Sequence, residues 1–83
     1  MTKRKGIRMQ ITARALIQRI NRKLKPDLEM LRATRGDRMK LDVGDYHVVD
    51  FRLNAVTHTY VNIEAMAREL GVLKDYEELA GDE

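Results

Sequence analysis

A small α+β domain is the fold class the sequence predicts: a helix, then three to four antiparallel strands, then a helix, in an αβββα-like order. Three observations predict it. The stretch Thr12–Pro26, TARALIQRINRKLKP, has helical periodicity and marked ends. The neighbouring runs YHVVDF and AVTHTYV are dominated by aromatic and β-branched residues, as strands are. Finally, NIEAMARELG begins with a capping residue and closes on a glycine, which marks a second helix.

In the first helix, Ala13, Leu16, Ile17, Ile20 and Leu24 recur at three- and four-residue intervals. At about 100° per residue these five gather on one side, which must face a core. Thr12 is placed to cap the free N–H groups of the first turn. Pro26 ends the helix because it lacks an N–H and disfavours α geometry at Lys25. The opposite side carries Arg14, Gln18, Arg22 and Lys25, with Arg19 and Lys23 on the flanks, and no acid interrupts it.

Before this helix, MTKRKGIR is basic and aperiodic, so residues 1–11 are expected to form a flexible basic arm ahead of a single domain over 12–80. After Pro26, Leu28 and Leu31 fit a helical turn, whereas Glu29, Leu31 and Ala33 alternate as in a strand; a short strand over 30–35 is preferred. Gly36 and Asp37 supply turn chemistry. Met39 and Leu41 then alternate with Arg38 and Lys40, which predicts a second strand or an extended loop. DVGD reads as the next turn, because it lacks the ligand series of a calcium loop.

Residues 52–55 form the expected hairpin loop, with Asn54 suited to a left-handed backbone. That loop sets Phe51 opposite Val56, Val49 opposite His58 and His47 opposite Tyr60, and turns Val49, Phe51 and Val56 toward the helices. Asp50 would then face Thr57. Asn62 caps the last helix, whose buried stripe is Ile63, Met66, Ala67 and Leu70, and Gly71 closes it. Val72 and Leu73 fold back onto the core, a short turn near 76–79 docks, and 81–83 fray.

Length and composition limit the function classes. At 83 residues the chain forms one domain that buries about 60–65% of its unfolded surface, so dimerisation would help it. It has no cysteine, which excludes disulfides, thiolate metal sites and thiol catalysis and makes the cytoplasm the default compartment. No apolar run approaches a membrane span of about 18 residues or a secretory core, so no membrane role is expected.

The net charge of +3 hides a segregation. The first twenty-five residues hold nine Lys or Arg and no acid, so the remainder carries a net negative charge. Such polarity points the N-terminal side toward a polyanion or an acidic protein. The candidate nucleic-acid contacts are Arg14, Arg19, Arg22, Lys23 and Lys25 on the helix, with Lys3, Arg4, Lys5 and Arg8 on the arm. His47 and His58 could titrate near neutral pH, but no nucleophile or third metal ligand accompanies them. They are read as packed or hydrogen-bonded residues, and no catalytic residue, cofactor or metal is assigned.

Three resemblances bear on this. MARELGVLKDYEEL resembles a helix-turn-helix around Ala67, Leu70, Gly71 and Val72, but its second helix would hold Asp75, Glu77 and Glu78, which repel phosphates. The order of elements over 12–71 resembles that of double-stranded RNA-binding domains. The lysine cluster that family places at the start of its last helix has no counterpart in Asn62, Ile63, Glu64 and Ala65. The pair RALIQRINRKL and VNIEAMARELGVL is similar to small bacterial proteins associated with plasmids, phages and integrated elements, which implies mobile-element biology and no specific chemistry.

The expected function is therefore non-enzymatic binding of DNA or RNA through phosphates, with low sequence specificity. The alternative is a phage- or plasmid-encoded module that binds an acidic surface of a host protein complex. Apolar residues on both sheet faces leave a homodimer open.

Overall fold

The computed structural model describes residues 8–81 and shows an α+β domain. Its elements are β1 (Met9–Ile11), α1 (Ala13–Leu24), a 3₁₀ turn (Lys25–Asp27), β2 (Glu29–Ala33), α2 (Asp37–Val43), β3 (Tyr46–Asp50), β4 (Ala55–His58), α3 (Ile63–Glu69) and β5 (Glu77–Leu79). Strands β2, β3 and β4 form an antiparallel sheet in that order, and β1 pairs in parallel with β5. The order is thus only roughly αβββα.

Helix α1 packs against β2 and α3 and forms as its spacing requires. The Thr12 hydroxyl accepts the Ala15 N–H at 3.1 Å, Leu16, Ile20 and Leu24 are buried, and Ala13 and Ile17 pack against that core. Pro26 does not cut the chain sharply; the helix tightens into the 3₁₀ turn, which suits a residue with no N–H near its start. In α3, Asn62 Oδ1 accepts the Ala65 N–H at 3.0 Å. Val72 N–H donates to Ala67 O and Gly71 N–H to Arg68 O, with Gly71 at φ +76°, which is the Schellman ending. Ile63 and Ala67 are buried, and Leu73 folds back beneath them.

The hairpin loop lies one residue earlier than expected, which changes the cross-strand partners beside it by two residues. The Asp50 carboxylate accepts the backbone N–H groups of Arg52 and Leu53 at 2.8 and 3.0 Å, so the turn starts at Phe51 and occupies 51–54. Asn54 is left-handed at φ 53°, as expected. The pairs become Asp50 with Ala55, Val49 with Val56 and, across an irregularity, Val48 with His58. A two-residue change of partner keeps Val49 and Val56 on one face, and it is the packing of the sheet that turns this face away from α1. Val48, opposite Leu31 on β2, lies in the core, whereas Phe51 is 54% exposed and Val56 is exposed. The expected core face of Val49, Phe51 and Val56 is corrected accordingly, as is the pairing of Asp50 with Thr57.

Two further expectations change. The segment around Met39 and Leu41 is not a strand but the short helix α2, in which Gly36 O accepts the Lys40 N–H and Lys40 O accepts the Gly44 N–H. Met39 and Val43 also satisfy the four-residue spacing, so the period-two pattern was ambiguous. Residues 9–11, assigned to the arm, form β1: Met9 N–H donates to Tyr76 O, Ala80 N–H donates to Ile11 O, and Ile11 is buried. The turn expected near 76–79 is the partner strand β5. Among the described residues no helix is long and apolar enough to cross a membrane.

Candidate nucleic-acid interface

The surface of α1 is divided by what lies beside each flank. On one flank Asn21 uses its amide twice: Oδ1 accepts Leu31 N–H at 2.7 Å, and Nδ2 donates to Leu31 O at 3.1 Å. This pair stands where a further strand would bond and fixes α1 against β2. On the other flank Arg19 reaches the segment after α3. Its Nη1 donates to Glu77 Oε1 at 2.8 Å and to Val72 O at 3.1 Å, and its Nη2 donates to Glu77 Oε2 at 3.2 Å.

Glu77 is buried and also accepts Lys74 N–H at 2.9 Å. Arg68 adds donations to the Lys74 and Glu77 carbonyls at 3.3 and 3.0 Å. The loop that follows α3 is thereby held at both ends. Arg19 was expected to meet phosphate, but its guanidinium is committed to an internal carboxylate in a two-point, charge-assisted contact. In the fold it ties α1 to the segment after α3.

Between these flanks Arg14, Gln18, Arg22, Lys23 and Lys25 are exposed. The ion pairs among the described residues are Arg19 with Glu77, Arg52 with Asp50, and Arg68 with Glu64, so Arg14, Arg22, Lys23 and Lys25 have no acidic partner there. Arg8 is exposed just before β1. Lys3, Arg4 and Lys5 lie outside the described residues.

Two concavities border this surface. One, of about 330 Å³, is lined by Arg19, Arg22 and Lys23 from α1, by Gly71, Val72 and Lys74 from the loop after α3, and by Glu77. Lys74 is a member that sequence reasoning missed, since it lies about fifty residues away in a segment read as acidic; the packing of α3 on α1 and the bonds of Arg19 to Val72 and Glu77 bring it there. The other, of about 400 Å³, is apolar, with Leu28, Met30 and Phe51 beside Asn21, Lys25 and Glu29.

Comparison with protein-family models, with curated proteins and with solved structures gives no match. His47 is buried on the sheet face away from α1, in a hydrogen bond with Thr34 (Nδ1 to Oγ1, 2.7 Å), and His58 lies exposed beside Thr57.

Hydrogen bonds from Arg19, then from the Lys74 backbone, hold the Glu77 carboxyl below its ordinary value near 4.5, against the opposing effect of burial. The Leu53 N–H is the main cause that lowers Asp50 from its ordinary 3.8, with Arg52 assisting and burial opposing. Because both folded-state values lie below the unfolded ones, their stabilisation is complete above about pH 4.5 and is lost as pH falls through the depressed values. An acid titration followed by circular dichroism is expected to show unfolding that begins in that range. Glu77→Gln should weaken the protein at neutral pH and flatten the acid limb; an unchanged limb would remove Glu77 from this account.

Proposed function

We propose that this chain is a non-catalytic nucleic-acid-binding protein that contacts the phosphates of DNA or RNA through the solvent face of α1. One observation carries the proposal: Arg14, Arg22, Lys23 and Lys25 stand exposed along one helix and its 3₁₀ extension, with no acid between them and no acidic partner among the described residues. Such a face offers charge without base-reading geometry, so affinity would come with little sequence preference. Four phosphate contacts on duplex DNA correspond to a slope of log affinity against log salt of about −3.6.

The test is reversal of Arg14, Arg22 and Lys25 to Glu. All three are exposed, so the fold is expected to survive, and fluorescence anisotropy with a mixed set of DNA and RNA oligonucleotides should lose its binding signal. A folded, reversed protein that binds the set as well as the original would sink the proposal. We extend the setting to mobile-element biology on the resemblance of the two helical segments to plasmid- and phage-associated proteins.

A second reading has its own observation. The apolar concavity of Leu28, Met30 and Phe51 adjoins Lys25, a combination suited to an acidic protein surface with apolar groups. Under that reading a stoichiometric protein partner would survive nuclease treatment in a pull-down through the tagged chain, whereas nucleic-acid-mediated capture would not.

A further inference from the structure

We infer that the concavity between the C-terminal half of α1 and the loop after α3 is a seat for one phosphate group. The inference deepens the proposed function, on which it rests only for the source of the phosphate, a nucleic-acid backbone.

Charge is the first support. Four cationic side chains and one carboxylate line the seat, and the carboxylate is already engaged by Arg19 and by the Lys74 N–H. Arg22, Lys23 and Lys74 remain, all exposed and none in an ion pair among the described residues. Three cations around a concave wall concentrate positive potential more than the same charges spread along a convex helix.

Preorganisation is the second. Glu77 ties Arg19 to the Lys74 backbone, and Arg68 holds the Lys74 carbonyl, so the base of the lysine side chain is fixed relative to α1 before any ligand arrives. A site assembled in advance spends less of its interaction energy on ordering. The concavity, of about 330 Å³, is open to solvent and large enough to admit a phosphate with water still bound to it. Arg22 supplies a planar fork for two phosphate oxygens, and Lys23 and Lys74 supply point charges. Arg14 and Lys25 would then meet neighbouring phosphates along the strand. Glu77, which looks unfavourable in an anion site, is the residue that organises it.

The experiment uses the full chain, isotope-labelled, titrated at constant ionic strength first with inorganic phosphate and then with a single-stranded oligonucleotide. The variants are Lys74→Gln, Arg22→Gln and, as a control on α2, Lys40→Gln; each parent side chain is exposed. Inorganic phosphate is expected to shift the amide signals of Arg22, Gly71, Val72 and Lys74, and Lys74→Gln to remove those shifts. Lys74→Gln and Arg22→Gln should each weaken oligonucleotide binding about three- to tenfold and reduce the salt slope by about 0.7, with Lys40→Gln unchanged.

Oligonucleotide binding that Lys74→Gln leaves intact, with no phosphate-dependent shift at residues 71–74, would overturn the seat while leaving the helix face as the binding surface. Phosphate shifts lost in Lys74→Gln, in a chain that binds no oligonucleotide, would retain the seat and overturn the nucleic-acid source in favour of a free or small-molecule phosphate.

Discussion

Gly44→Ala is expected to destabilise the domain by about 3 kcal/mol or more, and to lower its melting temperature by more than about 12 °C. Gly44 has φ +83° and ψ −175°, a region that is essentially closed to residues with a Cβ. Added there, a Cβ would lie 2.7 Å from both the Cα and the Cδ1 of Tyr60. The backbone cannot yield cheaply, because Tyr60 is itself left-handed at φ 52° and its N–H donates to Val43 O at 2.7 Å. The Tyr60 hydroxyl also donates to Leu41 O, so α2, the turn at Gly44 and the exit from β4 form one unit. Urea unfolding would check this; a loss under about 1 kcal/mol would show that the turn relaxes around the methyl group.

Leu16→Ala should cost about 2–5 kcal/mol. Leu16 is fully buried, and it shares the core with Ile20, Leu31, Val48, Ile63 and Ala67, so the lost methyl groups leave a void bordered by α1, the sheet and α3. In a domain of this size that is a large share of a stability of about 5–15 kcal/mol. Thermal melts should separate this variant clearly from Gln18→Ala, which sits on the exposed side of the same helix and should stay within about 0.5 kcal/mol of the original protein. Equal melting temperatures for the two would contradict the facing of α1.

The register of the hairpin was one hydrogen bond away from being legible. Asp50 stands at the end of a strand, and an Asp in that place often bonds the N–H groups that follow it and begins a turn. That local chemistry places the loop one residue earlier, whereas the burial of Val48 with Leu31 is decided by which face of the sheet packs against α1. Phe51 draws the eye because it is the chain's sole phenylalanine, yet it lies exposed beside Leu28 and Met30 at the mouth of the apolar concavity. For Met39 and Leu41 the difficulty was different, since four alternating residues satisfy a strand while Met39 and Val43 satisfy a helix.

What the sequence by itself determined is the helical stripe of α1, its Thr12 cap, the Asn62 cap and Gly71 ending of α3, and the segregation of positive charge ahead of Pro26. These depend on residues within one or two turns of each other, where the 3.6-residue period and the free backbone groups of helix ends leave few alternatives. Only the tertiary structure decided that Met9–Ile11 pairs with Glu77–Leu79, that Arg19 is committed to Glu77, and that Lys74 joins Arg22 and Lys23 around one concavity. These contacts join residues some fifty to seventy positions apart, and a charge's neighbours at that range follow from how the core closes rather than from any local pattern. Composition could thus identify the cations, but the fold alone could distinguish the α1 cations that face solvent from Arg19, which is spent on a carboxylate.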